Sequence, residues 1–476
     1  MIERGMENER YVTWAREEFG CAQLGDQRRT NRLVAVGAGA AANPGGVMTQ
    51  VFPESGEREG AFRFVQNEGV AAEAIGRACH AATAKRCVGE TIVLVPVDES
   101  DVSLPYAKKA LDLGYVGPRR CKMPGMCVMT AMGVTLDGTP LGALGQAYWT
   151  RTKKARRVKK DRRPVTEKET QKWLDAMGEA RDVLSRESPG TIPWFQNDRG
   201  ADSWPVLLEM RQFGLVTVRA VHDRRLVGEV DGQRDSLFSH LDREPVLGFY
   251  DLAVPAGPNR TARTARIEVR ACTVTLDLLD PCTRKHMALE TCAVQAREVG
   301  TTPVGEAVIE WRLLTNFPVR GFDDARLVVF AYAMRWRIEE FHRTWKSGAC
   351  KVEEIQLEQA DHIERWLRIL AAVAMRIVRL TYLARTQPDV SPTLELSPAE
   401  IRATILLRQP KGIRPDAKPT MGQVVRWIAD LGGYTGKSSG GPPGALVLTR
   451  GLRRVEPVAL LIERGTITFL DGEGEK

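Results

Sequence analysis

The chain has 476 residues, enough for two to four domains with sizeable cores. It is 43% hydrophobic and 27% charged, no stretch reaches membrane-spanning length, and Met1–Arg10 is too polar for a signal peptide. Those features give no sign of a membrane-spanning helix or a signal peptide, while a net charge of +8 and a pI near 9.0 lean toward polyanionic partners.

Nine scattered cysteines without a C-x-x-C pair argue against a disulfide framework or a zinc ribbon and for a reducing cytosol. Cys121 and Cys127 are close in sequence, but no second Cys or His pair completes a metal site around them.

In chain order, residues 10–45 are alanine-rich and helical. LGDQRRTNRL offers Asp26 as an N-cap and sets Arg28, Arg29 and Arg32 on neighbouring faces of the helix start. EGAFRFVQNEGV (59–70) places Phe62 and Phe64 around Arg63 and continues as helix through Lys85. Residues 1–85 thus read as a small helical domain. Its basic faces suit DNA, though a plain bundle with solvated arginines would look the same.

From Glu90 the texture changes. TIVLVPVD is an apolar run ending in acid, a buried strand with Asp98 at its mouth. Cys127–Leu136 and Leu141–Trp149 are two more strands, with Asp137-Gly138 as the hairpin signal. The run RTKKARRVKKDRR (151–163) is a mobile basic loop or a tracker of phosphates. Thr166–Ser185 is helical, Thr191–Asn197 is a strand closed by Asp198, and after a further helix Gly214–Ala220 is a strand. Short strands with Gly, Pro and charged turns fill about 227–313, a β-rich insertion. Helix returns at Asp323 and holds through Arg385. After a Pro/Ser connection, shorter helices follow, broken at Gly432–Gly444.

YAMRWRIEEFHRTWK (332–346) carries the most chemistry. Treated as one helix at roughly 100° per residue, it puts Tyr332, Arg335, Glu339 and Lys346 on one narrow stripe, with Trp336 close by. A core-facing stripe would be apolar. This mixture suits a helix that holds a metal-bound phosphate, with a carboxylate for the cation, basic groups for phosphate oxygens and aromatics for bases.

Asp98 and Asp198 end two strands of one sheet and so reach one rim, where α/β sheets place their sites. With Glu339 they make three carboxylates that repel unless cations intervene. Two divalent ions roughly 3.5–4 Å apart would neutralise them, and oxygen-only ligation favours Mg²⁺, with Mn²⁺ as substitute, over zinc. Glu99 and Asp101 compete with Asp98 for the first position, and Asp202 reads as a cap or a supporting group. No P-loop is present, so no nucleotide cofactor is expected.

At this point the chain resembles the bacterial cut-and-paste DDE transposases of the insertion-sequence-four family. Tyr332, Arg335, Glu339 and Lys346 reproduce that family's Tyr-Arg-Glu-Lys signature with its spacing. LGDQRRTNRL (24–33), EGAFRFVQN (59–67), NDRGAD (197–202), TVRAVHDRR (217–225) and IADLGG (428–433) add to it, and the likeness runs from Trp14 to about Ile462. It implies an α/β fold: an RNase H-like catalytic core (86–385) with the β-rich insertion, flanked by an N-terminal helical DNA-binding domain (1–85) and a C-terminal helical dimerisation region (386–476).

Further implications concern site residues. Asp98, Asp198 and Glu339 would be catalytic metal ligands for two Mg²⁺. Tyr332, Arg335 and Lys346 would grip the cleaved end. Trp311 resembles the tryptophan that stacks on a flipped base, with a core aromatic as the alternative, and Arg219 resembles another DNA-contacting arginine. Arg28, Arg29 and Arg32 would meet the element's end.

The partners implied are double-stranded DNA, both element ends and target, and a second copy of the chain, with a cytoplasmic, nucleoid-associated location. Met421–Leu431 and Leu446–Ile462 are the dimer candidates. Cleavage, hairpin formation, hairpin opening and joining to target would follow at one site. The sequence departs from the family where DES (98–100) replaces D-T-T, where Gly200 replaces a glutamate and where Met129-Thr130 replaces His-Ser. Two other readings stand beside this one: a nuclease with the same core but no strand transfer, and a silent transposase-derived DNA-binding protein.

Overall fold

The computed structural model describes residues 9–107, 110, 112–117, 123–151, 164–230, 233–257, 260–413, 418–436 and 441–467. Cys121 and the basic run beyond Arg151 lie outside these residues. Among the described residues no helix is long and apolar enough to cross a membrane.

Five helices open the chain: α1 (Glu9–Phe19), α2 (Gln27–Ala42), α3 (Met48–Val51), α4 (Ser55–Val65) and α5 (Ala72–Arg86). Asp26 caps α2 by accepting from the Arg28 N–H, as its position before the helix implied. The single helix expected from residue 59 to 85 is two. Asn67 accepts from the Gly69 N–H and turns the chain between α4 and α5.

The strands β1 (Ile92–Ser103), β2 (Gly114–Val116), β3 (Met123–Val134) and β4 (Pro140–Trp149) follow. Next come α6 (Thr170–Glu187), β5 (Ile192–Asn197), α7 (Trp204–Phe213) and β6 (Leu215–Arg219). The β3–β4 hairpin turns at Gly138, whose φ of 89° is cheap only for glycine. The β-rich part holds β7 (Arg225–Val230), β8 (Gln233–Ser236), a short α8 (Leu237–Arg243), β9 (Gly248–Val254), β10 (Arg263–Leu279), β11 (His286–Val299) and β12 (Glu310–Thr315). The helices α9 (Phe322–Ala333), α10 (Trp336–Lys346) and α11 (Ala360–Thr386) cross the sheet. Finally α12 (Pro398–Arg408), α13 (Met421–Leu431) and α14 (Ala445–Glu463) form the C-terminal unit.

One mixed sheet runs β2-β3-β1-β5-β6-β12-β11-β10-β7-β8, with β4 on β3 and β9 on β10. β1, β5 and β6 are parallel neighbours, whereas β1, β3 and β4 pair antiparallel. The α/β class, the helical ends and the β-rich insertion are those expected from the sequence. The insertion continues the central sheet through β12 rather than standing apart from it.

Strand alternation fixes which side chains share a face. Leu94 and Val102 of β1, Trp194 of β5 and Leu313 of β12 join a core with α9, α10 and α11. Val93, Val95, Val97, Phe195, Val216 and Val218 join the opposite core with α6 and α7. At the C-terminal end α13 and α14 cross so closely that a Cβ on Gly451 would lie 1.8 Å from the Ile428 carbonyl oxygen, so only glycine fits there. Thr420 starts α13 with a reciprocal capping box, and Ser397 does the same for α12.

Candidate functional site

Val97 of β1 pairs with Asn197 of β5 in parallel register, so Asp98 and Asp198 are the next residues on two adjacent strands. By alternation both fall on the α9–α11 side, with Ser100, Arg219 and Trp311. Asp98 is not at a strand mouth, which corrects the expectation. β1 continues to Ser103 against β3, with Asp98 opposite the buried Thr130, and only the parallel pairing stops at 97. The rim is therefore one-sided: β5 ends and opens the space that β1 borders. Asp198 also caps a short 3-10 turn, accepting from the Gly200 N–H at 2.7 Å.

The 332–346 stretch is not one helix either. α9 ends at Ala333 and α10 begins at Trp336. The Arg335 N–H bonds to the Tyr332 carbonyl and the Arg337 N–H to the Met334 carbonyl, a tight turn between them. The turn lets the two halves serve different neighbours. Tyr332, buried at the end of α9, meets Trp311 of β12 edge to face, with ring centroids 5.2 Å apart. Arg335, at the head of α10, places Nη1 at 3.3 Å from Glu339 Oε1 and 3.6 Å from Asp98 Oδ2. Lys346, at the far end of α10, reaches Ser100 Oγ at 3.5 Å and Glu353 Oε1 at 3.8 Å. Trp336 is 58% exposed, with the Arg335 guanidinium over its ring at 5.7 Å.

The electrostatics match this crowding. Burial pushes the Asp98 carboxyl up to about 7. Arg335 pulls the other way, and Asp198 and Glu339 push it further up. Burial works against the Arg335 charge, but Asp98, Tyr332, Glu339 and Asp198 together hold the guanidinium above its usual value. Tyr332 is raised first by burial, with Arg335 and Arg219 opposing and Asp198 adding to it. Asp198 thus acts on the same charges as Asp98. Arg219, at the end of β6, donates to the Glu310 carbonyl at 3.4 Å, one residue before Trp311.

Glu99 and Asp101 point to the other face of β1. There Arg151 pairs with both and with Glu169, and Asp101 also accepts from the Cys127 thiol. Asp202 is buried and accepts from the Val221 and His222 N–H groups at 2.7 and 3.0 Å while pairing with Arg224. It braces the loop after β6, a supporting role as expected.

In the N-terminal part, Arg28 is exposed and paired with Asp26 at 3.0 Å, and Arg32 is exposed beside Gly60. Arg29 is used differently. Its Nη1 donates to the Leu24 and Gly69 carbonyls at 3.0 Å each, tying two loops together.

Two residues beside the acids escaped the sequence reading. His342 lies within ligand range of Asp98 and Glu339, the three ligand atoms falling within 4.8 Å of one another. Ser100 sits two residues beyond Asp98 on the same face and receives Lys346. Both had a signal: Glu339-x-x-His342 is an i, i+3 pair on a helix, and 98 and 100 are in phase on a strand.

The donor set fits hard cations. Asp98 and Glu339 supply oxygens next to Asp198, and one arginine at 3.3 and 3.6 Å leaves their charge incompletely met. Such a cluster, reached by basic and aromatic groups, is the kind of site that works on a polyanion. Residues 12–70 match a family model described as transposase DNA-binding, and residues 372–467 match one described as Tn5 transposase dimerisation domain. Together these matches, on either side of the sheet, support a DNA transposase with DNA and a second copy of itself as partners. The C-terminal match is to a model named for the Tn5 transposase.

Proposed function

We propose that the chain is a cut-and-paste DDE transposase of the insertion-sequence-four family, akin to the enzyme that mobilises a kanamycin-resistance composite transposon. It binds an element's ends, excises the element and joins its 3′ ends to target DNA. The observation that carries this reading is that Asp98 and Glu339 lie within ligand range of each other, with Asp198 acting electrostatically on Asp98, between the two matched segments. Working boundaries are 1–85 for end binding, 86–385 for chemistry and 386–476 for pairing, with α13 and α14 as the pairing surface.

Asp98, Asp198 and Glu339 would hold two Mg²⁺, or Mn²⁺ in their place. Such a pair activates an attacking oxygen and stabilises a leaving one. The chain's own groups do the positioning. Arg335 and Lys346 converge on the acids from the two ends of α10 and are placed to take phosphate oxygens. Trp311, braced by Tyr332 and flanked by Arg219, offers a face for a base turned out of the duplex. A base held there bends the strand enough for a freed 3′-hydroxyl to attack the opposite strand and close a hairpin. Water then reopens the hairpin, and the 3′-hydroxyl attacks target. Each act is an in-line phosphoryl transfer that needs alignment and charge neutralisation rather than a protein nucleophile.

The test incubates purified protein with DNA bearing the native element's ends and Mg²⁺. Hairpin and joined products are expected. Cleavage that never yields joined DNA would make the chain a nuclease. Equal DNA binding by wild type and Glu339→Ala, with no cleavage by either, would make it a silent binding protein.

A further inference from the structure

His342 is 94% buried by relative exposure (6% exposed), one turn beyond Glu339 on α10. Its Nε2 is buried without a hydrogen-bond partner among the described residues. Its Nδ1 faces Asp98 Oδ2 at 3.9 Å, too far for a hydrogen bond. The ring is mostly buried with Nε2 unbonded, and its Nδ1 faces a carboxylate pushed up by burial and by Asp198 and Glu339, with Lys346 and Arg335 also near. Among the described residues no hydrogen bond accounts for Nδ1 facing Asp98. A cation between them would: one ring nitrogen of His342, one oxygen of Asp98 and one of Glu339 already lie within 4.8 Å of one another. Ligands side by side on an octahedral ion at roughly 2.1 Å sit about 3 Å apart, so small side-chain rotations close the cage.

We propose that His342 is a ligand, through Nδ1, of the cation held between Asp98 and Glu339. This rests on the three-acid reading above. It makes that position a mixed nitrogen–oxygen site, whereas the position on the Asp198 side stays oxygen-only. Imidazole suits transition metals and carboxylates suit Mg²⁺ and Mn²⁺, so the mixed position prefers Mn²⁺ to Mg²⁺ more strongly than an all-oxygen site would. The two ions then differ in chemistry although they share Asp98.

The test uses full-length protein on DNA bearing the element's ends, loaded with Mn²⁺ and read by pulsed electron paramagnetic resonance. A nitrogen coupling to Mn²⁺ is expected in wild type, altered by ¹⁵N-histidine labelling and absent in both Glu339→Ala and His342→Gln. Mn²⁺ affinity should fall about 10–100-fold in His342→Gln, with the Mg²⁺ affinity falling less. The isotope label needs no substitution, so a folding failure of His342→Gln leaves the test intact. A coupling that survives in folded His342→Gln overturns the proposal. Bound Mn²⁺ without nitrogen coupling also overturns it and leaves the three acids standing as ligands. Mn²⁺ binding that is the same in wild type and Glu339→Ala overturns the three-acid reading along with it.

Discussion

The two faces of β1 carry two acid clusters built from nearly the same parts, and arginine treats them differently. On the α6 side, Glu99 and Asp101 sit with Cys127, and Arg151 pairs with both carboxylates and with Glu169. On the α10 side, Asp98 and Glu339 sit with His342, and Arg335 stands off at 3.6 and 3.3 Å. In the first cluster burial raises Glu99, but Arg151 pairs directly with both carboxylates. In the second, burial and two neighbouring carboxylates outweigh Arg335, and Asp98 is pushed up to about 7. Acid content alone therefore does not mark a metal site. Unmet charge does.

The sharpest way to break this contrast is to remove acids from each side in turn. Asp98→Ala, Asp198→Ala and Glu339→Ala should each lower every DNA product by roughly 10³-fold or more while leaving end binding largely intact, read by gel assays of cleavage, hairpin and joining. Glu99→Gln should leave all of those products within a few-fold of wild type. Loss of one step alone in the first set would contradict a single shared site. Comparable losses in both sets would erase the distinction between the faces.

A smaller effect is expected one shell out. Trp311→Ala removes a stacking face worth about 1–3 kcal/mol, so hairpin formation should slow roughly 10–100-fold with first-strand nicking preserved. Trp311→Phe should recover part of the loss. Equal slowing of nicking and hairpin formation would assign Trp311 to the core, the alternative that the sequence left open.

Much of this was legible before the fold was known, for identifiable reasons. Apolar runs ending in acid located β1 and β5, and period-2 alternation past Asp98 would turn Asp101 away from it. Capping chemistry put Asp26 at a helix start. The break between α9 and α10 was not legible, because every residue of the turn at Met334 and Arg335 is a good helix former and only tertiary contacts favour the turn. Nor could sequence say which arginines are already occupied. Arg28, Arg29 and Arg32 look alike in LGDQRRTNRL, yet the Arg29 guanidinium is committed to two carbonyls.

That difference carries the next prediction. Arg29→Ala should cost about 1–2 kcal/mol of stability in denaturant unfolding, since two backbone acceptors lose a charged donor. Arg28→Ala and Arg32→Ala should leave stability within about 0.5 kcal/mol. Each should instead lower the salt dependence of end binding by about one counterion.

The smallest effect discriminates the two faces of β1 by its response to Mg²⁺. In metal-free protein, Asp98→Asn removes a charge that burial and two like neighbours disfavour, so it should stabilise the fold by about 1 kcal/mol. Burial also raises the Glu99 carboxyl, with Arg151 opposing, so Glu99→Gln should shift stability by less than about 1 kcal/mol. Saturating Mg²⁺ should abolish the gain in Asp98→Asn relative to wild type, because the wild-type carboxylate then has its counter-charge. It should leave Glu99→Gln unchanged. Thermal melts with and without Mg²⁺ measure all four cases. An Asp98→Asn gain that persists at saturating Mg²⁺ would mean that the α10 side is no place for cations.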